Sequence, residues 1–223
     1  MKVLAIIPAR SGSKGVKDKN IRLVNDIPLM AYTIKAAKTC DICDEVMVST
    51  DSVEYANIAK SYGASVPFLR SEKTSSDTAK TLDCVLEVLD EYKKIGKIFD
   101  VLIILQPTSP LRDAEDIRGA YETFLKHKKS VASVCEGDNV VLLRTIKDDK
   151  LEKIIEQNST IRRQDFKKNY KINGAIYINY IKDIDKNTSF NDNEIAFVME
   201  KSHSIDIDTE WDLQLMKSTI KNN

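Results

Sequence analysis

Short continuous apolar runs alternate with longer amphipathic stretches along most of this chain. That is the pattern of strands covered on both faces and of the helices that cross over them. Val3–Ile7 is the first such run, closed by Pro8, and Val46–Val48 and Phe99–Leu105 repeat it. Between them, Pro28 opens a helix with Leu29, Met30, Ile34 and Ala37 on one face, and a second helix covers Val53 to Tyr62 and stops at Gly63. Asp77 is expected to cap a third, bearing Leu82, Val85, Leu86, Leu89 and Tyr92 at helical spacing. Asp113 caps a fourth, with Ile117, Ala120, Tyr121, Phe124 and Leu125.

From about Asn139 to Tyr170 the rhythm breaks. The short apolar pieces Val140–Leu143 and Leu151–Ile155 flank Lys147-Asp148-Asp149-Lys150, which predicts a β-hairpin or arm inserted in the α/β domain. Ala175–Tyr180 resumes the strand pattern, and a capped helix from Thr209 to Ile220 ends it. The expected organisation is an α/β domain from 1–138 and 171–223 with an inserted arm at 139–170 that serves as a dimer contact. Strands joined by crossover helices imply a mostly parallel sheet covered on both faces, with ligands outside the strand carboxyl ends. The loops Ala9–Asn20, Ser49–Asp51 and Gln106–Arg112 should therefore line one edge together.

The basic and acidic side chains, 34 of each, cancel, which disfavours general nucleic-acid binding. The opening apolar run is too short for a membrane span and lacks the flanks of a secretory signal, so a cytoplasmic protein is expected. Cys40, Cys43, Cys84 and Cys135 agree with a reducing compartment. Cys40 and Cys43 have C-x-x-C spacing, but no second half-site accompanies them and only His127 and His203 offer imidazoles. A helix end with reduced thiols is the plainer reading.

Charge is concentrated locally after the first strand. Arg10, Lys14, Lys17, Lys19 and Arg22 stand against the single acid Asp18, and Gly12 and Gly15 let backbone N–H groups approach a ligand. A polyphosphate is the natural guest. The spacing is neither that of a Walker A loop nor that of a dinucleotide fingerprint.

Six motifs give the loop its context: A-R-S-G-S-K-G with Lys19 and Asn20, V-S-T-D at Val48–Asp51, Q-P-T-S-P-L-R at Gln106–Arg112, R-R-Q-D at Arg162–Asp165, N-G-A-I-Y-I at Asn173–Ile178, and S-I-D-I-D-T-E-W-D-L at Ser204–Leu213. In this order they resemble the acylneuraminate cytidylyltransferases, also called CMP-sialic acid synthetases, across nearly the whole chain. The resemblance implies a Rossmann-like, three-layer nucleotide-diphospho-sugar transferase fold. It also implies a homodimer whose arm crosses to its partner, and transfer of CMP from CTP to the anomeric hydroxyl of a nine-carbon 2-keto sugar acid, with pyrophosphate released.

The same resemblance distributes roles. Arg10, Lys19 and Arg163 act on the reacting groups; Arg10, Ser13, Lys14, Lys19 and Asn20 hold the triphosphate side, with Arg70, Ala79 and Thr81 along the cytidine. Gln106, Arg163 and Lys171 fall on the sugar side. Asp206 and Asp208, two apart on a strand-like segment, would share a face and offer hard oxygens to Mg²⁺ or Mn²⁺, although Asp208 or Thr209 could instead cap the last helix. Some relatives carry Arg-Pro where this chain has Lys171 and Ile172, and a lysine loses bidentate carboxylate recognition. The sugar is thus expected to be N-acetylneuraminate, with legionaminate or a related 2-keto sugar acid as the alternative. A non-catalytic CTP or CMP-sugar binding protein is the rival of another class.

Overall fold

The computed structural model describes all residues except Lys14, Ile161, Arg163, Gln164, Phe166, Asn222 and Asn223, and of Lys221 the backbone alone. The predicted roles of Lys14 and Arg163 therefore lie outside the described residues. In chain order come β1 (Val3–Pro8), the two-residue strands β2 (Leu23–Val24) and β3 (Ile27–Pro28), α1 (Leu29–Thr39), β4 (Glu45–Ser49), α2 (Val53–Ser61), α3 (Glu72–Ser75) and α4 (Thr81–Lys94). Then follow β5 (Val101–Leu105), α5 (Ala114–His127), β6 (Val131–Glu136), β7 (Arg144–Lys147), β8 (Lys150–Lys153), β9 (Tyr170–Tyr180), β10 (Ile195–Val198) and α6 (Glu210–Lys221).

One six-stranded sheet, ordered β10-β6-β9-β5-β1-β4, forms the middle layer. β1 pairs in parallel with β4 and β5, and β10 with β6, whereas β9 runs antiparallel to both β5 and β6. β6 and β10 thus point the same way as β1, β4 and β5, and five strands deliver their carboxyl ends to one edge. Alternation along β1 explains the layers. Val3, Ala5 and Ile7 join the core under α1, α2 and α5, while Leu4 and Ile6 join a second core under α4. The strand reads as continuously apolar because both faces are covered.

The helix caps follow the sequence in part. The Asp113 carboxylate accepts from the Asp116 N–H at 2.9 Å and Asp116 answers on the Asp113 N–H at 3.1 Å, a reciprocal cap for α5. Asp77 does not cap α4. That helix starts at Thr81, its first turn closed by Asp83 on the Lys80 N–H at 2.9 Å, and Asp77 is drawn away to pair with Arg10. The piece Val140–Leu143 is likewise not a strand: Val140–Leu142 is a 3₁₀ turn whose Asn139 side chain accepts from the Val141 N–H, and the hairpin that follows is β7 with β8. Asp148 and Asp149 take positive φ at its tip. Among the described residues this hairpin pairs only with itself.

β9 carries the N-G-A-I-Y-I motif, and its register against β6 slips between Ala132 and Val134. Gly174 takes φ 74° in the slipped segment. The buried Ser133 hydroxyl donates to Asn173 Oδ1 at 2.6 Å and accepts from the Ile176 N–H at 2.8 Å. Asn173 in turn donates to the Ser204 hydroxyl at 2.9 Å, so the bulge is tied to the segment that follows β10. Ser133→Ala leaves a buried N–H without its acceptor, and a loss of about 1–3 kcal/mol is expected in a urea titration; an unchanged midpoint would show the bulge holds without it.

Candidate active site

At the carboxyl edge the loop after β1 meets the loop after β5 and the segment after β10. Together they line a cleft of about 320 Å³ that includes Arg10, Ser13, Lys19, Asn20, Gln106 and Asp208. Ile207 is the anchor of the third wall. It is fully buried with Val16, Val24, Leu29, Leu213 and Met216. Burying it turns its neighbours Asp206 and Asp208 outward without a strand: Ser204–Asp208 has no regular secondary structure, contrary to the strand-like segment expected.

Backbone bonds complete the anchor. The Ile207 N–H donates to the Thr108 carbonyl at 2.8 Å, and its carbonyl accepts from the Lys19 ammonium at 2.6 Å. Lys19 also reaches Asp208 at 3.0 Å, with its own side chain 14% exposed and that of Asp208 70% exposed. At Gly15 a Cβ would lie 2.7 Å from the Asp208 carbonyl oxygen, so the absence of a side chain is what lets the two walls touch. α6 then starts from a cap made by Thr209 and Asp212: the Asp212 carboxylate accepts from the N–H groups of Asp208 and Thr209 at 3.0 and 2.7 Å, and the Thr209 hydroxyl accepts from the Asp212 N–H. Asp208 is thereby left free of the capping role.

The electrostatics suit a cation next to an anion. Desolvation by the surrounding protein raises the Asp206 carboxyl above its ordinary value; the Thr108 hydroxyl opposes this, and repulsion from Asp208 adds to it. A divalent ion would relieve that crowding, and two hard carboxylates are a donor set for magnesium rather than for a soft metal. A second group exists among the described residues, Asp113, Asp116 and His203, whose ligand atoms lie within 4.8 Å of one another. Its atoms are already used. Both carboxylates cap α5, and Asp116 holds the His203 ring at 2.8 Å.

Two residues whose roles the sequence did not show brace the loop after β1. Asp51, the last residue of V-S-T-D, accepts from the Ser11 N–H at 2.8 Å and from its hydroxyl at 2.6 Å. Burial alone would raise its pKa; the Ser11 bonds and the charge of Arg70 outweigh it and hold the carboxyl below its ordinary value. Asp77 pairs with the Arg10 guanidinium at 2.9 Å and brings the segment with Ala79 and Thr81 beside the loop. Asn20, buried, fixes the loop from inside by donating to the Arg10 carbonyl at 3.0 Å.

Other predicted residues lie off the cleft. The Arg70 N–H donates to the Thr50 carbonyl at 2.8 Å, and its guanidinium charge acts on Asp51 and Glu87. Lys171 is exposed at the start of β9, packed against Gly137. Arg112, the end of Q-P-T-S-P-L-R and given no role from the sequence, is buried. One of its nitrogens donates to the carbonyls of Gln106, Ser109 and Ala175 at 3.1–3.4 Å, clamping the Gln106 loop to β9. Desolvation lowers its pKa to about 10, which leaves it charged at neutral pH.

A parallel-edged α/β sheet with a basic, glycine-bearing loop after its first strand, faced by two carboxylates, defines a nucleotidyltransferase. The pattern of the family described as "Cytidylyltransferase" matches residues 4–219. The chain is 38% identical over 234 residues to the CMP-N,N'-diacetyllegionaminic acid synthase of Legionella pneumophila, covering 100% of this chain and 98% of that protein. It is 34% identical to the N-acylneuraminate cytidylyltransferase of Escherichia coli, over 96% of this chain and 51% of that one, and 31% identical to a pseudaminic acid cytidylyltransferase of Campylobacter jejuni, over 100% and 98%. Among solved structures it superposes on a CMP-2-keto-3-deoxy-manno-octonic acid synthetase complexed with CTP, at a TM-score of 0.74 and 16% identity over 100% and 99% of the two chains, which shows the shared fold. The protein is a cytidylyltransferase of the acylneuraminate cytidylyltransferase family.

Gly15→Ala should keep the fold and weaken CTP binding by about tenfold or more, because one wall must shift; calorimetry would show it, and wild-type affinity would refute the close-packing argument. Asp51 carries a depressed pKa, so its contribution is present above the unfolded value, about 3.9, and is lost as pH falls through the folded one. Denaturant midpoints measured from about pH 5 to 3 should therefore fall less steeply for Asp51→Asn than for the wild type.

Proposed function

We propose that the protein transfers CMP from CTP to the anomeric hydroxyl of a nine-carbon 2-keto sugar acid, a legionaminate-type sugar ahead of N-acetylneuraminate, and releases pyrophosphate. The observation that supports this reading most is the joining of Arg10, Ser13, Lys19 and Asn20 to Gln106 and Asp208 around one cleft. In-line attack on the α-phosphorus requires two anions to be held together while charge spreads onto the leaving pyrophosphate. Arg10 supplies a planar fork and Lys19 a point charge for those oxygens, with Lys14 and Arg163 as further cations on the family pattern. The cytidine lies toward Arg70, Ala79 and Thr81 and the sugar toward Gln106 and Lys171.

Asp206 and Asp208 are the residues that would hold Mg²⁺ or Mn²⁺. The ion, when bound, neutralises phosphate charge. Lys19 keeps Asp208 oriented from the protein side, and the buried Ile207 fixes both carboxylates relative to the loop. The preference for a legionaminate-type sugar rests on the Legionella relative, matched over the full length of both chains, and on Lys171 replacing a fork-shaped side chain.

The reading includes a cytoplasmic homodimer. The hairpin region exposes Leu142, Ile146, Leu151 and Ile154, from 55% to 75% each, and a second copy would cover them. Its four cysteines, free thiols, suit that compartment, where CTP is made.

With CTP, Mg²⁺ and a panel of nonulosonic acids, pyrophosphate and a CMP-sugar should form, fastest with a legionaminate-type acid. Asp208→Asn should lower the rate by about a hundredfold or more. Tight CTP binding with no product from any sugar would replace the enzyme with a binding protein, and a full rate in chelator would remove the metal from Asp206 and Asp208.

A further inference from the structure

The Cys40–Cys43 pair has no part in the cleft. α1 leaves the carboxyl edge and runs back, so Cys40, its C-terminal cap, and Cys43, just before β4, lie at the opposite edge of the sheet. Both are free thiols, Cys40 buried and Cys43 partly exposed. Their sulfurs are 4.0 Å apart. Cys84 and Cys135 are buried, and the Cys84 thiol is engaged with the Ser49 hydroxyl.

The backbone around the pair is already turned for closure. Asp41 takes φ 57°, folding the four-residue turn back on itself. Arg118 donates to the Thr39 carbonyl at 3.1 Å, and Asp44 exchanges bonds with the Val3 backbone at 2.6 and 3.0 Å, so both ends of the turn are pinned. A disulfide needs the sulfurs about 2 Å closer, and rotation of the two side chains is the motion that would bring them together.

We propose that Cys40 and Cys43 form a reversible dithiol modification site that a hydroperoxide closes to an intramolecular disulfide. Each thiol gives up its hydrogen, the S–S bond forms, the peroxide O–O bond breaks, and with hydrogen peroxide two waters leave; a small dithiol reductant restores both thiols. The surroundings favour the reaction. The hydrogen bond between the two sulfurs, with backbone N–H groups and the Arg118 charge, lowers the Cys40 pKa and so favours the thiolate that such chemistry requires. In cytosolic proteins disulfides of this kind are transient and redox-responsive.

The test is brief exposure of the whole protein to a small excess of hydrogen peroxide, alkylation of remaining thiols, and peptide mass mapping. One disulfide joining Cys40 to Cys43 is expected, formed roughly tenfold or more faster than any change at Cys84 or Cys135 and reversed by dithiothreitol. Cys43→Ser should leave Cys40 trapped as a sulfenic acid by a dimedone probe. Alkylation of both Cys40 and Cys43 while Cys84 or Cys135 oxidises would overturn the proposal, as would oxidation of the pair to sulfinic acids with no disulfide.

Discussion

The ammonium of Lys19 donates to the carbonyl of Ile207, 188 residues along the chain, and to the carboxylate of Asp208 beside it. Around that contact Ile207 packs with Val16 from the loop after β1 and Leu213 and Met216 from α6. Burying an isoleucine of this kind contributes about 1.5–3 kcal/mol, whereas the solvent-exposed Arg22–Glu210 pair across the same seam contributes at most about 1 kcal/mol. The seam is therefore held by apolar burial. Charge only sets what faces the cleft. Since Asp208 is largely exposed, the Lys19 bond that matters most structurally is the one to the Ile207 carbonyl.

Sheet polarity makes the seam possible. β10 is parallel to β6, and β9 inverts between β6 and β5, so the segment after β10 emerges at the same edge as the loop after β1. Had β10 run the other way, Asp206 and Asp208 would start from the far edge. The β9 bulge, tied through Asn173 to Ser204, and the Arg112 clamp on the Gln106 loop both hold that edge together. These motif residues, given no role from the sequence, serve as braces.

What could be read from the sequence was what periodicity and cap chemistry encode. β1, α1, β4, α2, β5 and α5 lie within a few residues of the expected spans because each is a continuous run or an amphipathic stretch with a clear start or stop. β6 was not seen, because Ala132 and Ser133 interrupt its apolar run; β10 was missed because four residues carry too little pattern. Asp77 looks like a helix cap, yet a long-range partner, Arg10, took it, and no local rule shows that competition. In the site, Arg10, Ser13, Lys19, Asn20, Gln106 and Asp208 were named from motifs, and they meet in one cleft. The bracing roles of Asp51, Thr108 and Arg112 were not legible, since each depends on which loops meet rather than on its neighbours in sequence.

The proposed function rests on the triphosphate lying between the loop after β1 and the segment after β10. Crystals grown with CTP and Mn²⁺ test that most directly through the anomalous signal of the metal. The account predicts a peak within ligation distance of Asp206 and Asp208, with the phosphates against Arg10 and Lys19. A peak at Asp113, Asp116 and His203, or a triphosphate seated in the larger groove lined by Lys167, Lys168 and Lys201, would contradict it.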